Sequence, residues 1–200
     1  QRKGLTRAES RELLTHRHFL GPMMVRMGDA DGLIGGLVHK YADTVRPALQ
    51  TIGLDAKARL VAGTYMMVFK SELMFFADPV INIDPSAQEL AEIALCTAET
   101  ARSFDVEPRV AMLSFSNFGS SRHPQADKVR QATKIVQQRA PDLVVEGEMQ
   151  ADLALTPSML EEAYPFAELK GRANVLVFPD LSSANVAYKF RESIQLSEVE

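Results

Sequence analysis

The run Met112-Leu113-Ser114-Phe115-Ser116-Asn117-Phe118-Gly119-Ser120-Ser121 gathers hydroxyl, amide and glycine positions as an anion-holding loop does. The stretch Glu107-Pro108-Arg109-Val110-Ala111 before it reads as a buried strand, and Arg122-His123-Pro124 opens an amphipathic segment ending near Arg139. A strand, a Ser/Asn/Gly loop and a helix start bring free backbone N–H groups and the positive end of a helix dipole to one point. The chemistry suited to that point is binding of a phosphate, pyrophosphate or carboxylate. The plain alternative is an ordinary loop in front of a capped helix. A second strand-to-helix junction, Phe178-Pro179-Asp180-Leu181-Ser182-Ser183-Ala184-Asn185, has the same form. There Asp180 or Ser182 can contact a ligand or simply cap the helix. Arg46, just before Pro47, can pair with an anionic group or form a structural salt bridge.

Other chemistry-bearing residues offer less. Glu146, Glu148 and Asp152 surround Gly147, and alternation along a strand puts the two glutamates on one face. That arrangement resembles an acid/base or metal set, but structural or dimer-contact roles fit it better. Asp29 and Asp31 lack a third ligand nearby in sequence. His16 and His18 point to different sides of a helix, and His39 and His123 are isolated, so no zinc spacing exists. Cys96 lies in an apolar helical stretch as a buried, inert thiol, and the methionines read as core filler. No Gly-x-Gly-x-x-Gly fingerprint is present, so no dinucleotide is expected to bind here.

Composition sets outer limits. With 200 residues and 46% hydrophobic content, the chain can bury one substantial core, or one core plus part of another. The 22 basic and 26 acidic residues give a net charge of −4, and the sequence pI is near 5.6. No basic patch of the kind a nucleic-acid binder carries is visible. No apolar run approaches the roughly 18 residues a membrane span needs. A single cysteine excludes an internal disulfide and fits a reducing, cytoplasmic setting. Neither nucleic acid nor membrane is expected as a partner.

The elements that must position these residues alternate. A helix is predicted from Thr6, its N-cap with Glu9 completing a capping box, to about Arg17. Residues 23–27 are open between helix and strand, and 33–37 read as a short buried strand. Residues 41–52 are helical despite Pro47, which can kink the helix or start a new one. Strands are predicted at 60–69 and 73–77 around a Lys70-Ser71-Glu72 turn, implying one antiparallel pair. Residues 85–104 form the clearest helix, with Asp84 as cap and Pro85 at its first position. Strand 109–115, helix 124–139, strand 143–146, a short helix at Pro157, strand 174–178 and a helix from Leu181 to about Ile194 complete the series. This alternation predicts an α/β fold with a largely parallel sheet.

Taken together, these stretches resemble the phosphotransacetylase (phosphate acetyltransferase) family. The likeness runs in order through residues 29–36, His39, 42–50, 84–94, 112–121, 146–152 and 174–189. It implies a two-domain α/β fold, akin to the isocitrate/isopropylmalate dehydrogenases, with a ligand cleft between the domains. Residues 1–47 then end the first domain and 48–200 form the second. The family continues after its Asn-x-x-Tyr-Lys motif with a strand and helix carrying a catalytic Ser-Arg pair and an aspartate. The chain is therefore expected to be a fragment lacking that C-terminal segment and to be inactive alone. A dehydrogenase of the related architecture would need substrate arginines and metal-binding aspartates that the sequence does not show.

Departures within the family suggest a branch. Free-standing enzymes carry Ser-Thr-Lys-Gly-Ser where this chain has Ser116-Asn117-Phe118-Gly119-Ser120, and His-Ser-Thr-Ala-Asp-Thr where it has His39-Lys40-Tyr41-Ala42-Asp43-Thr44. Phe118 removes a cation that an acyl phosphate would favour. The chain is more similar here to the phosphotransacetylase-like C-terminal region of large bacterial malic enzymes. That resemblance implies a non-catalytic regulatory and assembly region of an NADP-dependent malic enzyme, with acetyl-CoA as allosteric effector. The implied acetyl-CoA or phosphate contacts are Arg46, Ser116, Asn117, Gly119, Ser120, Ser121, Asp180, Ser182, Asn185 and Lys189. No catalytic or metal-binding residue and no cofactor is assigned to this chain. NADP and a divalent metal would belong to an upstream malic domain, and a homodimer or higher homo-oligomer is implied. The alternative is a trimmed phosphate acetyltransferase, converting acetyl-CoA and phosphate to acetyl phosphate and CoA.

Overall fold

The structure, a computed structural model, describes residues 4–36, 39–54, 58–69 and 72–197. The chain parts into two compact units between Arg59 and Leu60. In the first unit lie α1 (Arg7–Leu13), α2 (Arg17–Met27) and α3 (Tyr41–Thr51), with α2 packed on α3. The expected capping box forms, the Thr6 hydroxyl accepting from the Glu9 N–H while the Glu9 carboxylate accepts from the Thr6 N–H. The helix stops at Leu13, short of Arg17, and a new one begins there. Residues 23–27, open between helix and strand, are the second half of α2, ended by Gly28 in the left-handed region at φ 81°. Of the expected strand 33–37, residues 33–36 form none and Ile34 is fully exposed, while Leu37 lies outside the described residues. The sequence-based boundary after residue 47 falls within α3, which runs unbroken through Pro47.

In the second unit a five-stranded sheet takes the order β1-β2-β5-β3-β4. Its strands are β1 (Thr64–Val68), β2 (Leu73–Ala77), β3 (Arg109–Leu113), β4 (Val144–Met149) and β5 (Val175–Val177). β1 pairs antiparallel with β2, and every other pairing is parallel. The expected turn between β1 and β2 includes Lys70 and Ser71, outside the described residues. The helices are α4 (Ala87–Ser103), α5 (Pro124–Arg139), α6 (Ala151–Leu155), α7 (Pro157–Ala163) and α8 (Leu181–Ser197). The cap of α4 is Ser86, in a capping box with Glu89, so the expected Asp84 cap and Pro85 first position are displaced by two residues.

Both faces of the sheet are covered, which explains the unbroken apolar runs of its strands. Phe75, Ala77, Val110, Met112, Val175 and Val177 face α4 and α5. Met74, Phe76, Ala111, Leu113 and Leu176 face the side covered by α6, α7 and α8. β4 breaks this alternation. Its register against β3 shifts between Met112, opposite Gly147, and Leu113, opposite Met149, so Glu148 is left without a partner on β3. Glu146 then turns to the α7 side, where its Oε2 accepts the Glu168 N–H at 2.7 Å. Glu148 turns to the opposite side and meets Arg130 of α5. The same-face expectation for the two glutamates fails because the bulge adds one residue to a period of two.

Gly147 has φ 148°, and a Cβ there would stand 2.6 Å from the Met112 carbonyl oxygen and 2.8 Å from Met112 Cβ. Gly147→Ala is therefore expected to cost about 2 kcal/mol or more, a strained backbone position combined with a core clash. Urea unfolding of the variant against the parent checks this.

Candidate functional site

Three loops leave the C-terminal ends of β2, β5 and β3, which are neighbours in the sheet. The helices after β2 and β3 lie on one face, and α8 after β5 lies on the other. This reversal flanking β5 is a topological switch point, where parallel sheets leave a crevice outside the strand ends. The loop after β3 (114–123) and the turn after β5 (178–180) therefore leave adjacent strand ends at that point.

The loop after β3 uses its donors differently from the expectation. The N–H of Ser116 goes to Ser114 Oγ, that of Asn117 to Ser120 Oγ, that of Gly119 to Glu148 Oε1 and that of Ser121 to Ser116 Oγ. The N–H of Phe118 goes to the Glu148 carbonyl and that of Ser120 to the Asn117 carbonyl. From Ser116 to Ser121, then, the backbone donors serve the protein itself. Ser116 is fully buried, donates its hydroxyl to Glu148 Oε1 at 2.9 Å, and lies 3.2 Å from Ser120 Oγ. Asn117 is engaged on both sides, its Nδ2 donating to Gln150 Oε1 and its Oδ1 accepting the Gln150 N–H. The anion this loop cradles is the chain's own Glu148.

Glu148 has 0% exposure. Arg130 Nε donates to its Oε2 at 2.9 Å and Nη2 to its Oε1 at 2.9 Å, a two-pronged pair. Burial pushes this carboxyl up, but the Arg130 guanidinium, the Gly119 N–H and the Ser116 hydroxyl outweigh it and hold the carboxyl below its ordinary range. Glu146 behaves oppositely, burial raising its carboxyl despite the Glu168 N–H. Arg130 also contacts Asp127 at 2.6 Å and donates to the Ser121 carbonyl at 3.4 Å.

The neighbouring loops follow the same principle. Asp78, just after β2, accepts the N–H groups of Val80, Ile81 and Asn82 and the Asn82 amide. Lys128 of α5 donates to Asp84 Oδ1 at 2.8 Å and to the Pro179 carbonyl at 2.9 Å, joining the loops after β2 and β5. Asn185 donates to the Pro79 carbonyl at 3.1 Å. Asp180 takes the capping role left open by the sequence, accepting the Ser183 N–H at 2.8 Å. Ser182 is exposed at the start of α8, and Lys189 is exposed farther along it. Arg46 lies in the first unit, exposed on α3, where with Arg26 it borders a groove between α1, α2 and α3.

Sequence reasoning missed Lys128, Arg130 and Asp78, and it gave Glu148 no particular partner. A signal existed for the first two: two cations at i and i+2, one turn inside the helix that follows the loop. Among the described residues, no group of three His, Cys, Asp or Glu side chains is placed to hold a metal ion, and no helix is long and apolar enough to cross a membrane.

An open α/β sheet, mostly parallel, with a topological switch point flanking β5 defines the class. The chain belongs to the phosphate acetyl/butaryl transferase family, whose model matches residues 1–198. It is 46% identical over 195 residues to the phosphate acetyltransferase of Bacillus subtilis, covering 97% of this chain and 60% of that protein. It is 42% identical over 187 residues to the phosphate acetyltransferase of Synechocystis, covering 94% of this chain and 27% of that one. A phosphotransacetylase structure from Streptococcus pyogenes superposes with a TM-score of 0.90 at 46% identity, over 98% of this chain and 60% of that one. One from Staphylococcus aureus gives a TM-score of 0.88 at 40% identity, over 97% and 60%. The chain thus spans about 60% of the length of the Bacillus relative.

These findings overturn the malic-enzyme reading. The relatives that match nearly the whole chain are phosphate acetyltransferases, not oxidoreductases. NADP-linked malate oxidation by an upstream malic domain, with acetyl-CoA as mere effector, is withdrawn with it. The departure that suggested that branch, Phe118, is a packing position. Its ring lies 4.7 Å from Tyr164 and 5.2 Å from Phe166, on the α7 side.

Arg130→Met would leave the Glu148 carboxylate buried without its counter-charge, at a cost of about 3 kcal/mol. The parent loses this pair's contribution only as pH falls through the depressed carboxyl range, below the ordinary value of about 4.3. Denaturant unfolding at pH 7 and at successively lower pH is expected to show the gap between variant and parent closing on acidification.

Proposed function

We propose that the protein containing this chain is a phosphate acetyltransferase, exchanging an acetyl group between CoA and inorganic phosphate. The observation that carries this reading is the 46% identity to the Bacillus subtilis phosphate acetyltransferase over 97% of the chain. Acetyl-CoA is then a substrate. A phosphate oxygen forms a bond to the thioester carbonyl carbon, the carbon–sulfur bond breaks, and CoA leaves as a thiolate that takes up a proton. The protein's tasks are to hold two anionic substrates in line and to stabilise the negative charge developing on the carbonyl oxygen.

In this reading Ser116, Asn117 and Gly119 shape the crevice, their polar groups being engaged within the chain. Ser120, Ser121, Asp180, Ser182, Asn185 and Lys189 supply the groups at its rim and along α8. Arg46, within the first unit, is a separate candidate for pairing with an anionic group. No catalytic residue is assigned within this chain.

Because the chain spans 60% of the Bacillus relative, the assay belongs on the whole protein. With acetyl-CoA and inorganic phosphate, it is expected to release CoA thiol in equal amount to acetyl phosphate formed. Thiol titration and hydroxamate detection follow the two products. Absence of acetyl phosphate under conditions where the folded protein binds CoA would remove this reading.

A further inference from the structure

We propose that the Glu148–Arg130 pair positions the Ser116–Ser121 loop for acyl transfer, acting through the shape of that loop and touching no substrate. This role rests on the acyl-transfer reading above. A carboxylate with 0% exposure cannot meet a ligand in the crevice. It nevertheless receives Ser116 Oγ and the Gly119 N–H from the loop, and Nε and Nη2 of Arg130 from the second turn of α5. Arg130 in turn holds the Ser121 carbonyl, at the point where the loop hands over to α5. Loop and helix therefore share one anchor, and that anchor stands on β4.

The loop's backbone fits this assignment. Phe118 has φ 45° and Gly119 φ 90°, two consecutive residues in the left-handed region. This path turns the Phe118 N–H onto the Glu148 carbonyl and the Gly119 N–H onto its carboxylate. Phe118 is not glycine, and such a conformation persists when the surroundings determine it. Displacing Arg130 from the carboxylate is expected to release its hold on the Ser121 carbonyl and so to shift the rim hydroxyls of Ser120 and Ser121.

The substitution that separates positioning from stability is Glu148→Gln. An amide oxygen in the Oε1 place can keep Ser116, Gly119 and Arg130 Nη2, but the amide NH2 then faces Arg130 Nε–H as a second donor and breaks the two-pronged pair. Arg130 is 30% exposed and already contacts Asp127, so it is not stranded. Arg130→Lys is the second variant, since lysine keeps the charge but not the two-pronged geometry.

The experiment uses the whole protein, with kcat and KM measured for acetyl-CoA and inorganic phosphate beside thermal unfolding. Expected is a folded E148Q whose kcat falls about tenfold or more, the cost of a displacement on the order of 1 Å, with KM for acetyl-CoA little changed. R130K is expected to lie between E148Q and the parent in kcat. Folded variants turning over at the parental kcat would overturn the proposal. So would activity lost only in proportion to unfolded protein, or failure of both variants to fold, since either makes the pair purely structural. A parent that forms no acetyl phosphate is a different outcome: it removes the acyl-transfer reading itself, and this role with it.

Discussion

Burying a carboxylate is costly unless every lone pair finds a donor and a counter-charge stands beside it. At the end of β4 that requirement is met by Glu148, which draws donors from its neighbouring loop and from α5. The geometry of the loop after β3 follows from this one demand. To satisfy Glu148 the loop after β3 must turn inward, and to reach it Arg130 must fix the start of α5. The bulge at Gly147–Glu148 supplies the direction, because in an unbroken alternation Glu148 would share a face with Glu146.

The same solution recurs along the strand ends. Asp78 gathers the backbone donors of the loop after β2, and Asp180 accepts the Ser183 N–H at the start of α8. Lys128 then ties the loops after β2 and β5 to α5. The strand ends are thus framed by internal carboxylates that have already consumed the nearest backbone donors. Outward-facing side chains there, such as Ser182 and Lys189, stay exposed.

Much of this architecture was legible in the residues. The capping pattern of Thr6 and Glu9, the strand–loop–helix at 109–139 and the strand–helix at 174–194 all correspond to observed elements. The misses have local causes. Asp84-Pro85 looked like a helix start, but Ser86 and Glu89 complete a reciprocal cap two residues later. Leu33-Ile34 looked like a buried strand, yet apolar side chains between glycines do not oblige a strand to form. The loop itself was located correctly and its donors were not, because their acceptor lies 29 residues away from Gly119 and beyond a bulge. Periodicity cannot reveal a residue that breaks the period. Phe118 misled for a related reason: a change in a binding motif looks functional until its ring is seen packed on Tyr164 and Phe166.

A Ser- and Gly-rich loop beside a crevice is ordinarily among the first segments to open in a folded protein. Here its amides are locked onto a buried charge whose counter-ion is part of a core helix. Releasing them exposes an unpaired carboxylate and detaches the second turn of α5 from the sheet. The hydrogens on Phe118, Gly119 and Ser121 should therefore exchange with solvent as slowly as those of the central strands. The rim of the crevice breathes only when the whole domain does.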